Sequence, residues 1–538
     1  MKQPSSQAGI PTNYGALGTL VMVFFFWGFI AASNSMLIPF CKTHFQLTQF
    51  ESQLIGSSFY GAYFIGSLII FVVSNILGYD IINRIGYKRG IVYGLLISVV
   101  GALLIIPSAN AESFNAILGS LFIVALGFSL QQTCAQPFAI SLGDPATGSH
   151  RLNLGGGVNS FGTTLGPIIV SFFLFGSVGS AAEEVTVKNI NNLYLIVAAV
   201  FAAVALVFHF SKLPEGRNDE PFESTRKASA SLLVMTGLIV AIIIVGMLTD
   251  ISKLYLLLAT LVVVIGILFY GNREAAVNES GWGAMKYPQL IYGMLGIFVY
   301  VGVEVTIDNN FGALLKQPGY FNAEGLDESK ISQYISLYWG SLMIGRWTGA
   351  ISVFNLRGMA KTIATAVIPF VAFGVILLVN YLYGNPIDNL LPYSIVIAIA
   401  VAAFFFGQEK PVKTLLVLSI LAAAGMVIGS FTTGIVSVFA MVAGGLCCSI
   451  MWPCIFSLAI AGLGKYTSEG SALLIMMILG GAIIPPLQGV VGDGAIGLHK
   501  SYLVAALCFG ILAWLAIKLR SVLRQQGIDF DKQIEGGH

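Results

Sequence analysis

Charge is what this sequence has least of. Only 10% of its 538 residues are Asp, Glu, Lys or Arg, and 56% are hydrophobic before glycine is counted, whereas soluble domains carry roughly 25% charged residues. That shortage excludes a water-soluble protein. The 27 basic and 25 acidic residues nearly balance, so no excess invites nucleic acid, and where the charges stand matters more than their sum. Cysteine is scarce too. Cys41, Cys134, Cys447, Cys448, Cys454 and Cys508 fall mostly inside apolar runs, with neither a zinc spacing nor a disulfide framework, and read as free structural thiols. No nucleophile and base pair and no phosphate loop stands at a credible spacing, so neither an enzyme nor a bound cofactor or metal is implied. Nor does the first apolar run read as a cleavable leader. The run from about Leu17 to Phe40 is longer than a signal-peptide core, lacks a small-residue cleavage pattern and should remain as the first helix.

What the sequence has in plenty is apolar runs near the roughly 20 residues that a membrane helix needs. They lie at 16–40, 53–79, 87–107, 113–142, 152–176 and 191–210, then at 230–249 and 252–271. A further eight follow at 288–315, 331–354, 362–382, 391–406, 412–430, 432–462, 469–492 and 501–520, which makes sixteen expected spans. With the N-terminus inside, twenty of the 27 Lys and Arg fall in cytoplasmic segments and six outside: Lys42, Lys188, Lys253, Lys316, Lys330 and Lys500. Only Arg346 is left in the interior of a span, the other basic residues at span ends being counted with the segments they adjoin. This obeys the positive-inside rule, and deleting any one span would invert everything after it. Both termini are therefore expected in the cytoplasm.

The chain also repeats itself. Pro137 opens Pro-Phe-Ala-Ile-Ser-Leu-Gly and Pro453 opens Pro-Cys-Ile-Phe-Ser-Leu-Ala, at an offset of 453 − 137 = 316; Gly162 and Pro167 match Gly480 and Pro485 at 318. Repeated halves are a transporter signature. Aligning Asn34 with Asp308 gives an offset of only 274, so the second half has gained about two helices before Pro453, and 362–382 with 391–406 are the candidates. The expected organisation is a tail (1–15), a six-helix bundle (16–210) and a cytoplasmic linker (211–287) that contains an extra hairpin at 230–271. A second bundle (288–520) with an inserted hairpin (362–406) and a tail (521–538) complete it.

Polar groups in hydrocarbon are costly unless buried in protein or lining a wet cavity, so those inside spans mark candidate sites. Asn34 stands mid-span before Pro39, where a broken hydrogen-bond ladder lets a side chain turn inward, either to a ligand or to a neighbouring helix. Gln132 and Gln136 share one face of the fourth span. Amides both donate and accept, as sugar hydroxyls require. Glu304 and Asp308 are the only carboxylates in the middle of any span and also share a face, joined by Asn309 and Asn310. Two such acids cannot both ionise cheaply, which points to a coupling proton or sodium ion between them, or else to hydrogen bonds with sugar or a neighbouring helix. Arg346 follows Gly345 in the cytoplasmic half of its span and reads as a gate or a snorkelling residue.

The residues resemble those of the fucose:proton symporter family, a branch of the major facilitator superfamily that includes fucose and glucose/galactose permeases. The likeness runs through Phe25-Phe26-Trp27-Gly28, Asn34, Pro39, Gly61-Ala62-Tyr63-Phe64-Ile65, Gly86-Tyr87-Lys88 and Gln132-Thr133 to Pro137. It continues through Arg151-Leu152-Asn153-Leu154, Asn159 to Gly162, Tyr300-Val301-Gly302, Glu304, Gly345-Arg346, Pro453 to Leu458 and Gly480-Gly481. It implies an all-helical fold of two six-helix bundles, here with about four extra helices, that rock about a central sugar site. It also implies that Asn159 and Trp452 line the cavity and that the loop with Arg84 and Lys88 is a conformational gate, although Asn83 stands where an aspartate is usual. Two departures matter. Ser35 and Gln132 replace the acids that couple the family to protons, and Gly156 and Met451 replace family glutamines. The expected function is hexose transport across a bacterial inner membrane, coupled to a cation through Glu304 and Asp308. An uncoupled uniporter, a nutrient sensor and an efflux protein are the alternatives.

Overall fold

The computed structural model describes residues 11–46, 49–175, 186–214, 223–326, 328–354, 356–407 and 410–529; the side chains of 30–40, 42–43, 49–54, 57, 146, 167–175 and 328–329 lie outside the description. Among the described residues all regular structure is helical, as it must be where an apolar chain has no water to satisfy its backbone.

The first half runs α1 (Tyr14–His44), α2 (Gln49–Leu77), α3 (Tyr87–Asn110), α4 (Phe114–Ser141), α5 (Gly148–Phe175) and α6 (Val187–Phe210). Ser113 caps α4 by accepting from the Ala116 N–H, and Thr186 with Asn189 forms a capping box at α6. A hairpin follows, α7 (Arg226–Leu248) and α8 (Lys253–Val277). Pro288 at the first position opens α9 (Pro288–Asn309), and α10 (Glu328–Ala350), α11 (Gly358–Leu382), α12 (Ser394–Gly407) and α13 (Pro411–Phe431) come next. The chain ends with α14 (Gly434–Cys448), α15 (Met451–Ile460), α16 (Thr467–Met476), α17 (Gly480–Gly492) and α18 (Leu503–Gln525).

Helix covers each of the sixteen apolar runs, but among the described residues twelve helical stretches are long and apolar enough to cross a membrane. The described residues thus support twelve of the sixteen expected spans. The other four fall short for separate reasons. α1 and α5 extend into residues whose side chains are outside the description. α10 is too polar, with Glu328, Lys330 and Arg346 in its length, and α12 has only 14 residues.

Helix pairing repeats. In the first half α1 packs on α5, α2 on α4, and α3 on α4 and α6; in the second, α9 packs on α17, α10 on α14, and α13 on α14, α15 and α18. Two glycines make the equivalence concrete. At Gly162 a Cβ would run into the Phe25 carbonyl of α1, and at Gly480 into the Phe298 carbonyl of α9, so each half closes one helix crossing on a bare backbone. Between halves, α2 packs on α16 and α10 on α5, each pairing the repeat-mate of the other. The hairpins stay outside this core. The spanning windows of α7, α8 and α11 are 11%, 22% and 28% buried, against 89% for Pro288–Leu315; α9 is therefore central and the extra helices peripheral.

Candidate functional site

Proline sets up the centre of the molecule. It has no N–H, so the carbonyl four residues earlier loses its helical donor. Pro137 leaves the Thr133 carbonyl, and Ser471 of α16 donates to it from the other half at 2.8 Å. Pro453, its repeat-mate, leaves the Ser449 carbonyl at the break between α14 and α15, and there Arg346 donates through Nε at 3.3 Å.

Arg346 then joins the two halves. Its Nη1 donates to Ser160 Oγ at 2.8 Å and to the Gly156 carbonyl at 3.5 Å, both on α5, while Nη2 lies 3.5 Å from Glu304 Oε1 on α9. An added Cβ at Gly156 would stand 3.1 Å from Arg346 Cδ, so glycine there leaves the arginine its path. The Tyr300 hydroxyl donates to the same Glu304 oxygen at 2.9 Å, and Tyr338 donates to the Glu304 backbone carbonyl at 2.7 Å. Glu304 thus has a cation of its own. Asp308, one turn on, accepts from the Trp339 indole. Its Oδ1 is buried with no partner among the described residues.

The remaining expected residues divide. Trp452 packs between Tyr300 and Phe456, each ring centroid 6.1 Å away, and its indole Nε1 is buried without a partner among the described residues. Gln132 is half-buried and donates to the Tyr63 hydroxyl at 2.9 Å; Gln136 is buried. Asn159 spends its amide on the Phe24 carbonyl of α1 at 3.0 Å, a helix-to-helix bond. Asn309 is exposed, and the side chain of Asn34 lies outside the described residues. The aromatic partners Tyr60, Tyr63, Tyr300, Tyr338 and Trp339 were not expected. Their signal was available, since each carries a polar atom inside an apolar run.

A second set of contacts closes the end of the bundle where α1 begins. The Tyr14 hydroxyl donates to the Val353 carbonyl at 2.6 Å, and His150 Nδ1 donates to the Gly349 carbonyl at 3.0 Å. Asp80 caps the short helix Ile81–Ile85 through the Ile82 and Asn83 N–H groups, and burial raises its pKa against those two bonds. The cap aims Asn83 across the seam, where it donates to the Lys465 carbonyl at 3.4 Å and accepts from Ser468 at 2.7 Å. Arg84 and Lys88, the expected gate cations, stay in their own half, over the Tyr79 ring at 4.2 Å and on the Ser211 carbonyl at 2.8 Å. The linker joins in as well: Glu223 pairs with Lys465 at 2.6 Å and accepts from Tyr466. Hydrogen bonds from Lys465 and then Tyr466 hold the Glu223 pKa below its ordinary value.

No protein-family model matches the sequence. A glucose/galactose transporter of Brucella abortus is 31% identical over 506 residues, covering 94% of both chains. This chain belongs to the fucose:proton symporter family of the major facilitator superfamily. Within that family the L-fucose-proton symporter of Escherichia coli is 25% identical over 509 residues, covering 92% of this chain and 90% of the relative. Among solved structures, FucP in its outward conformation superposes with a TM-score of 0.64 at 22% identity, over 94% of this chain and 98% of that one. That likeness carries the fold, and the site lies where the two repeated sets of helices meet.

Proposed function

We propose that the protein carries a hexose, glucose or galactose in the first place, across a bacterial inner membrane by alternating access, coupled to a proton. One observation carries this reading. The amides, aromatic rings and charges of the spans converge on the seam between halves, where Arg346 touches α5, α9 and the break after α14. Relatives named as glucose/galactose transporter and L-fucose-proton symporter cover nearly the whole chain and support sugar as substrate and a proton as partner. Hydroxyls need donors and acceptors together, and the amides of Gln132 and Gln136 with the indole N–H of Trp452 offer both. The Trp452 ring suits the apolar face of a hexose.

In this reading 16–210 and 288–520 are the two moving halves. The helices α1, α5, α10 and α12 cross the membrane with the other twelve stretches, and both termini are cytoplasmic. The seam at the start of α1 is then the inner gate, drawn shut. Gln132 and Gln136 line the first-half wall, and Asn83, rather than Arg84 or Lys88, latches the gate.

The test is uptake of labelled glucose, galactose, mannose and fucose into proteoliposomes, with and without an inward proton or sodium gradient. Accumulation above equilibrium of at least one hexose under a proton gradient is expected. Absence of transport for all four would overturn the reading. A second reading, an uncoupled uniporter, is favoured by the neutral Glu304–Arg346 pair; it predicts equilibration indifferent to either gradient.

A further inference from the structure

The two intramembrane acids differ in how they are held. Glu304 has the Arg346 guanidinium at 3.5 Å and the Tyr300 hydroxyl at 2.9 Å. Arg346 in turn is bound to Ser160 and to the Gly156 and Ser449 carbonyls. Taking the charge from either partner would strand the other unpaired in a low-dielectric interior. Among the described residues Asp308 has no cation of its own. One indole N–H from Trp339 reaches it, and its other carboxyl oxygen is buried with no partner among the described residues. Among the described residues, the groups facing it from its neighbours bring no positive charge: Glu304 on α9, Tyr338 on α10, Tyr60 on α2 and Tyr502 at the cap of α18. A neutral amide stands near as well, since Gln488 of α17 accepts from Asn310 at 2.7 Å, keeps its Nε2 unpartnered and interacts with Tyr502.

Among the described residues of this cluster the count is therefore two acids to one base, and the surplus sits on Asp308. Resting on the sugar-transport reading above, we infer that Asp308 alone is the group that takes up and releases the coupling proton, while Glu304 stays ionised as the fixed counter-ion of Arg346. A proton from the outer aqueous phase adds to the Asp308 carboxylate and makes the Glu304, Asp308 and Arg346 cluster neutral. That neutral cluster can be enclosed between the halves with sugar. On the inner side the carboxyl returns the proton to water and regains its charge. The Glu304–Arg346 pair is unchanged throughout and holds α9 and α10 to α5 of the first half.

The experiment has two arms. Infrared difference spectra of purified protein between acid and neutral pH, without sugar, are expected to contain a protonated-carboxyl C=O band that disappears in Asp308→Asn and persists in Glu304→Gln. In proteoliposomes, Asp308→Asn is expected to keep sugar counterflow within a few-fold of the native rate, to lose accumulation and to lose sugar-evoked proton uptake; Asp308→Glu is expected to restore part of both. Glu304→Gln is expected to lose counterflow, with Arg346 left without its partner. A band that persists in Asp308→Asn, accumulation retained by that variant, or sodium replacing the proton in driving it would each overturn the assignment. If no sugar is transported at all while the band still maps to Asp308, the substrate reading fails and the proton site stands. If sugar equilibrates and the native protein has no such band, the site fails and sugar transport stands.

Discussion

Single residues at the seam act by removing partners as well as by supplying them. Pro453 frees the Ser449 carbonyl that Arg346 uses, and the preceding Trp452 keeps a buried indole N–H with nothing to donate to. An unpartnered buried donor costs about 1–3 kcal/mol, a cost that a sugar hydroxyl would relieve. Trp452→Ala is therefore expected to raise the apparent KM for sugar about tenfold, equivalent to about 1.4 kcal/mol. Trp452→Phe, which keeps the ring and loses the donor, should fall between. Concentration-dependent uptake checks both, and an unchanged KM in Trp452→Ala would remove the residue from the site. Gly156 makes a related prediction. A side chain there meets Arg346 at 3.1 Å, so Gly156→Gln should slow counterflow by crowding the guanidinium off Ser160, while Gly374→Gln on the periphery, with nothing within 4 Å, should not.

Among elements, the tightest constraint is the pair of backbone crossings at Gly162 and Gly480. A valine at either must push α1 from α5 or α9 from α17, since the obstacle is a main-chain carbonyl that cannot rotate away. Overpacking of this kind costs about 1–3 kcal/mol. Gly162→Val and Gly480→Val are each expected to lower the melting temperature in detergent, whereas Gly374→Val in α11 should leave it unchanged. Similar losses at the two crossings would match their repeat relation. The hairpins α7–α8 and α11–α12 lie outside this scheme, packed on one side and apolar on the other.

For the whole molecule the question is what must break when the halves change places. The seam at the start of α1 is held by neutral bonds around Asn83, Ser468 and Tyr87 and by the linker residue Glu223 on Lys465. Asn83→Cys with Ser468→Cys, bridged by a short thiol cross-linker, is expected to abolish net uptake, and reduction should restore it. Uptake that survives complete cross-linking would show that this seam need not open. The Glu223 contact carries a pH signature. Its pKa is held below the ordinary value, so its contribution is fully present above the unfolded carboxyl pKa of about 4.3 and is lost as pH falls through the lower folded value. Hydrogen exchange at Lys465 and Tyr466 should accordingly be flat from pH 7 to 5 after correction for intrinsic rates, and its protection should fall only below that. The group is mostly exposed, so the effect is small.

Much of this was legible before any fold was known. The scarcity of charge and the sixteen helical runs follow from composition and length alone, because a chain this apolar must satisfy its backbone within helices. The repeat offsets of 316 and 318 were enough to pair Pro137 with Pro453 and Gly162 with Gly480. Composition also singled out Glu304, Asp308 and Arg346 as the charges that a membrane would not tolerate idle. It could not say which acid the arginine would take. That choice depends on α10 crossing α9 and α5 at one point, with Glu304 on the arginine's side and Asp308 turned toward Trp339. Nor could it tell that Asn159 would serve a neighbouring helix, or that Asn83 rather than Arg84 would cross the seam. Hydrogen bonds reach only about 3 Å and have direction, so the partner of a polar side chain is decided by which helix lies beside it. Only the packed chain brings residues hundreds of positions apart to that distance.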